Sequence, residues 1–187
     1  SGSGRRSYRD HPFRILCPWL TAGAVIYHPE QRILLLDRSS GDHRVLCAFT
    51  VRTDFNSKKQ FDQCGVIIYQ NSDSWFKASI EYENKKIQRL GSVVTNHGYS
   101  DWATTDISSD IKSMWYRFSR RDSDYCIECS EDGINFRQMR IFHMWEGAEK
   151  ITYGIYACSP TEGSYKATFS NMQITECKWE SDADWRD

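Results

Sequence analysis

FDQCGVIIYQNSDSWFKASIEYENKKIQRLGSVVTNHGYSDWA, residues 61–103, decides the fold. It reads as three strands joined by two turns, with Tyr69-Gln70-Asn71-Ser72-Asp73-Ser74 between the first pair and Glu83-Asn84-Lys85-Lys86 between the second. Successive side chains of a strand point to opposite faces. The middle strand therefore sends Phe76, Ala78, Ile80 and Tyr82 one way and Trp75, Lys77, Ser79 and Glu81 the other. The first set is ordinary core. The second places a ring, an amine and a carboxylate in line, and that polar face is the expected functional surface.

The same alternation continues on either side. Gln31–Asp37 and Arg44–Asp54 read as strands, the latter with Val45, Cys47, Phe49 and Val51 on one side, and Ser39-Ser40-Gly41-Asp42 as the turn between them. Residues 56–60 form an exposed turn, and Asn96–Asp110 reads as a polar loop carrying His97, Ser100, Asp101 and Trp102. Strands follow at Ile111–Arg120, Tyr125–Ser130, Phe136–Phe142, Ile151–Cys158 and Tyr165–Cys177. Arg121-Asp122-Ser123-Asp124, Glu131-Asp132-Gly133 and 159–163 are the turns between them. Residues 143–150 read as one helical turn, 180–187 as an acidic, frayed tail, and 5–30 as weak short strands interrupted by Pro12, Pro18 and Pro29. No amphipathic helix emerges. Ten to twelve short strands with regular turns imply an all-β antiparallel sandwich or barrel.

Composition bounds the class. The 187 residues suit one domain over 5–187, with Ser1-Gly2-Ser3-Gly4 set aside as a cloning remnant. Aromatic residues at 14% favour β structure. A net charge of -1, with basic residues scattered, argues against a nucleic-acid or membrane partner. Seven cysteines, an odd number, sit largely in apolar runs. With no signal peptide and no membrane-length apolar run, they imply reduced thiols and a cytoplasmic location.

Four stretches occur in order: Phe61-Asp62-Gln63-Cys64-Gly65; Trp75-Phe76-Lys77-Ala78-Ser79-Ile80-Glu81-Tyr82; Val93-Val94-Thr95 followed by Ser100-Asp101-Trp102; and Ala157-Cys158-Ser159-Pro160. Together they resemble a domain-of-unknown-function family that includes the fungal regulator of enolase. The resemblance covers about residues 31–176, with Cys64 where alanine is common and Ser79 where glycine is common. It implies a concanavalin A-like jelly roll of two antiparallel sheets, one with a concave face of the kind that holds carbohydrate.

On that face, Lys77 and Glu81 are expected to gain partners from later strands. Arg117 shares parity with Trp115 and Ser119, Arg140 with Gln138 and Phe142, Tyr69 with Gly65 and Ile67, and Tyr156 with Gly154 and Cys158. The expected ligand is a saccharide or sugar-derived small molecule, held without catalysis. Lys77, Arg117 and Arg140 donate to it, Glu81 accepts, Trp75, Tyr69 and Tyr156 stack on it, and Asp101 and Trp102 sit at the groove mouth. The alternative is a salt-bridge network that only fixes the sheet.

An enzyme reading would use Glu81. Glycoside hydrolysis needs two carboxylates about 5–10 Å apart. Related jelly-roll glucanases carry such a pair on one strand, and no E-x-D-x-x-E occurs here. Glu81 with Glu83 is an i, i+2 pair about 7 Å apart, and a lyase could take Lys77, Tyr69 or His97 as base. A third reading is a regulatory protein-interaction domain. Cys126-Ile127-Glu128-Cys129 has C-x-x-C spacing, but on a strand its thiols face opposite sides, so no metal is expected. The absence of a P-loop or dinucleotide fingerprint leaves no cofactor expected.

Overall fold

The computed structural model describes residues 47–145, 151–161 and 165–179, with the backbone of 14–15, 24–27 and 32–37. Among these residues, thirteen strands and no helix are found: β1 (Arg14–Ile15), β2 (Ala24–Tyr27), β3 (Arg32–Asp37), β4 (Cys47–Asn56), β5 (Gln63–Asn71), β6 (Ser74–Tyr82), β7 (Ile87–Asn96), β8 (Tyr99–Ser108), β9 (Ser113–Arg121), β10 (Asp124–Ser130), β11 (Arg137–His143), β12 (Thr152–Cys158) and β13 (Lys166–Glu176). They form a seven-stranded sheet ordered β1-β3-β12-β5-β6-β7-β8 and a six-stranded sheet ordered β11-β10-β9-β4-β13-β2. Pairing is antiparallel except between β1 and β3. This is the jelly-roll sandwich expected from the sequence. The Ser39–Asp42 turn, residues 146–150 of the expected helical turn, and the acidic tail lie outside the described residues.

The middle-strand alternation holds. Phe76, Ala78 and Ile80 are buried in the core with Cys64, Val66 and Ile68 of β5. Facing them from the other sheet are Phe49 and Val51 of β4, Tyr116 and Phe118 of β9, and Tyr125 and Ile127 of β10. Rings lock the layers: Phe118 and Tyr153 meet at 5.3 Å, and Phe142 stacks between Phe76 at 4.0 Å and Tyr125 at 5.2 Å. Each such ring contributes on the order of 1.5–3 kcal/mol on burial.

Two expected elements differ, the first being the helical turn expected to start at residue 143, where His143 instead ends β11. Second, the polar loop 96–110 is strand β8, paired with β7 over ten residue pairs from Asn96↔Tyr99 to Ile87↔Ser108. The connection is a two-residue turn, with His97 at φ 50° and Gly98 at φ 79°. Two left-handed residues are what a tight hairpin needs. β8 ends its sheet and is exposed almost throughout, so neither of its faces carries an apolar stripe to betray it.

Candidate functional site

Strand pairing fixes which side chains share the outer face of the seven-stranded sheet. Directly opposed residues of an antiparallel pair lie on one face. One row runs Cys158, Gln63, Glu81, Arg89, Asp106; the next Tyr156, Gly65, Ser79, Gly91, Thr104; the next Gly154, Ile67, Lys77, Val93, Trp102; and the last Thr152, Tyr69, Trp75, Thr95, Ser100. Lys77 and Glu81 thus share a face with Tyr69, Trp75, Trp102 and Tyr156, as the sequence implied.

The centre of that face is filled. Lys77 Nζ donates to Gln63 Oε1 at 2.5 Å and lies 3.4 Å from the Tyr156 hydroxyl, which donates to the same oxygen. The amine also sits 5.2 Å from the centre of the Tyr156 ring. Burial pushes the Lys77 amine down from its usual range, and Glu81 offsets part of that. Burial raises the Glu81 carboxyl, against the opposing pull of Lys77 and Arg89. Ser79, Gly91, Val93, Trp102 and Thr104 complete the wall around Lys77, Glu81 and Arg89, leaving about 10 Å³. That is room for about one water. Trp75 and Tyr156 are buried, so neither offers a ring face to solvent. Tyr156 packs on the Lys77 amine, and Trp75 lies buried in the neighbouring row of the face.

Gly65 is what allows the sheet to close here. A Cβ at Gly65 would fall 1.9 Å from the Ala78 carbonyl oxygen, so only glycine fits beside β6. The turn before β5 is tied down by Asp62, which accepts from the Lys58 and Lys59 amides at 2.8 and 3.0 Å and from Ser159 Oγ at 2.6 Å. Residues 61–65 and 157–160, two of the ordered stretches noted above, therefore meet through this bond.

The expectation that both arginines join Lys77 does not hold. Arg117 lies on the outer face of the six-stranded sheet, on the far side of the core, because Tyr116 and Phe118 point inward. It bonds Glu128 through Nε at 2.6 Å and Nη2 at 2.8 Å, with the Phe136 ring 4.0 Å away. Arg140 lies on edge strand β11 and bonds Asp101 of β8, Nη2 to Oδ2 at 2.5 Å. Asp101 and Trp102, being adjacent on a strand, point to opposite sides of β8.

Arg140 and Asp101 instead line a groove of about 650 Å³ between the two edge strands. Its other walls include Asn96, Tyr99, His143 and Trp145, none of which the sequence reading singled out as a binding residue. Tyr99 is 83% exposed and Trp145 69%. Asn96 positions the far wall: its Oδ1 accepts from the Trp145 amide at 2.9 Å and its Nδ2 donates to the His143 carbonyl at 3.0 Å. His143 Nδ1 is 2.6 Å from Asp124 Oδ1, and its ring meets the Trp145 indole edge-on at 5.8 Å. The available sequence signals were the exposed aromatics flanking the His97-Gly98 turn and the end of β11.

Among the described residues no group of three or more His, Cys, Asp or Glu side chains could hold a metal ion. Cys129 is a core residue and Cys126 lies on the opposite face, as the strand geometry requires. No helix among the described residues is long and apolar enough to cross a membrane.

Comparison with known proteins agrees with the architecture. A structure of a functionally unknown protein from Saccharomyces cerevisiae superposes with a TM-score of 0.73 at 22% identity, over 83% of this chain and 88% of that one. A xylan beta-1,4-xylosidase from Bacillus halodurans superposes with a TM-score of 0.65 at 12% identity, over 76% of this chain but 29% of its own, a likeness of fold alone. In sequence, the chain is 30% identical over 130 residues to Regulation of enolase protein 1 of Saccharomyces cerevisiae, covering 68% of this chain and spanning 64% of that protein's length. Residues 32–177 match the family described as "Protein of unknown function (DUF1349)", and the chain belongs to that family.

Proposed function

We propose that this chain is a non-catalytic binding module for a saccharide or a sugar-derived metabolite, and that the groove between β8 and β11 takes the ligand. One observation carries the reading. The groove holds about 650 Å³, within the span of about 300–1,000 Å³ usual for small-ligand sites. It sets two exposed rings, Tyr99 and Trp145, beside the polar atoms of Asp101, Arg140 and His143. Rings of this kind cover the apolar face of a sugar while the polar groups meet its hydroxyls. The sugar-acting name of the Bacillus halodurans xylosidase, whose fold this chain shares in part, fits the reading.

The hydrolase or lyase alternative on Glu81 draws no support from the geometry. The space beside Glu81 is about 10 Å³, and Glu83 is engaged with Gln60 at 2.7 Å and Arg89 at 3.5 Å. A regulatory interaction domain is the second reading. It is favoured by β8, a ten-residue edge strand without proline, lysine or bulge, and by the name of the yeast relative. Free cysteines at 64, 126, 129, 158 and 177 support a reducing, cytoplasmic setting.

A glycan array followed by calorimetry tests the reading. Saturable binding without release of reducing ends, weakened at least tenfold by Trp145→Ala, is the expected result. Failure of every glycan to bind, or undiminished binding by Trp145→Ala, overturns it.

A further inference from the structure

Trp102 walls the Lys77 cluster but belongs neither to the groove nor to the core, and more than half of it stays in water. It is 55% exposed on the outer face of β8, and it is supported from beneath. Gly91 lies under it: a Cβ at Gly91 would stand 3.3 Å from the indole Nε1. The Arg89 guanidinium lies over the ring at 5.9 Å, and Val93 opposes Trp102 across the strands. Trp102 closes one side of the Lys77 cluster with part of its ring and leaves the rest in water, so it is a fixed ring with an accessible surface, a platform.

The platform and the groove are neighbours across a single strand. Asp101 faces the groove and Trp102, the next residue, faces the platform. β8 ends its sheet, and among the described residues no strand lies outside it. A ligand leaving the groove at Asp101 reaches Trp102 by crossing one exposed strand edge. Tyr99 and Trp102 are three residues apart, about 10 Å along the strand, so the rings are spaced for different units of a chain rather than for one small molecule.

Charge along this path is balanced. Arg140 bonds Asp101 at 2.5 Å, His143 meets Asp124 at 2.6 Å, and Arg89 lies 3.5 Å from Glu83 and 4.0 Å from Asp106. An acidic chain would have to compete with these carboxylates for each cation. Hydroxyls can share such paired groups as donors and acceptors without separating charge.

Resting on the saccharide reading above, we infer that the ligand is an uncharged oligosaccharide long enough to run from the groove over the edge of β8 onto Trp102. The class is thus a neutral chain of several rings, bound along its length, rather than a monosaccharide or an acidic glycan.

Calorimetry of the full chain against xylo-, cello- and malto-oligosaccharides from disaccharide to hexaose, and against an alginate hexamer, tests this. In the series that binds, the hexaose is expected to bind at least tenfold more tightly than the disaccharide. Trp102→Ala should abolish that gain while leaving disaccharide affinity unchanged, Trp102→Phe should restore part of it, and the alginate hexamer should bind at least tenfold more weakly than the neutral hexaose. A thermal melt confirms that both variants fold. Equal affinity for disaccharide and hexaose, a length gain that survives Trp102→Ala, or tighter binding of the alginate hexamer overturns the inference. In those cases disaccharide binding that Trp145→Ala still abolishes leaves the groove reading standing. Absence of binding by every saccharide of every length overturns both.

Discussion

Arg140 of β11 bonds Asp101 of β8 twice, Nη2 to the carboxylate at 2.5 Å and Nη1 to the backbone carbonyl at 3.2 Å, and so joins the edge strand of one sheet to the edge strand of the other. Asn96 makes a second link on this side, through the His143 carbonyl and the Trp145 amide, and the groove is lined by both links. The Asp101 carboxylate is largely exposed, so the pair contributes little to folding, about 0–1 kcal/mol. Its larger effect is to hold one wall of the groove. Arg140→Ala should lower Tm by no more than about 4 °C yet weaken saccharide binding about tenfold. A melt and a titration of the same sample check this, and a large fall in Tm with unchanged affinity would assign the pair to folding instead.

The Lys77 amine carries a pH signature. Its value in the folded chain is pushed below the ordinary lysine value of about 10.4 by burial. Between the folded and unfolded values the unfolded chain binds more protons, so stability rises with pH across that window. Below the folded value the cost of burying the charge is fully present. Lys77→Met keeps the stem and removes the titration. The stability of the natural chain relative to Lys77→Met should therefore climb as pH rises through the window below about 10.4, by at most about 1.4 kcal/mol per pH unit. Urea unfolding at four pH values measures it, and a difference that stays flat or falls with pH would remove Lys77 from the buried cluster.

Arg117 and Glu128 form a two-pronged cross-strand pair, largely shielded, with the Phe136 ring against the guanidinium. Arg117→Ala leaves the Glu128 carboxylate without that partner and should cost about 1–3 kcal/mol. Because the pair lies on the sheet face opposite Lys77 and away from the groove, saccharide affinity should not change. Loss of binding in a variant that melts normally would bring the six-stranded sheet back into the site.

Periodicity made the three central strands and their inward residues readable, because one face of each is buried and the other polar. It could not reveal β8: a strand with both sides in water has no apolar alternation, so the residues around Asp101 and Trp102 look like loop. Parity also assigns a side chain to one face of its own strand but not to a sheet. Arg117 alternates like Lys77 and ends on the other side of the core, and only the pairing of β9 with β4 and β10 decides that. The groove residues Tyr99, His143 and Trp145 come from two strand ends brought together by packing of the two sheets, which local sequence does not encode. The stretch around Gln63 was readable as distinctive, but its partners Lys77 and Tyr156 are 14 and 93 residues away.

Two glycines separate strand fit from turn fit. Gly65 lies within β5, where a Cβ would strike the Ala78 carbonyl oxygen at 1.9 Å, a backbone atom that cannot rotate away. Gly133 lies in the turn after β10 at φ 75°, where a Cβ would fall 2.6 Å from the Trp115 indole. Gly133→Ala should cost about 1–3 kcal/mol, from a left-handed backbone and a displaced ring, and leave the seven-stranded sheet intact. Gly65→Ala must push β5 and β6 apart across the Lys77 cluster, so its cost should exceed that of Gly133→Ala. It should also speed hydrogen exchange at the β5–β6 amides, which Gly133→Ala should not. Exchange measured residue by residue on both variants decides between them. Gly65→Ala with unaltered β5–β6 protection would mean that the close approach of these strands is not what the glycine provides.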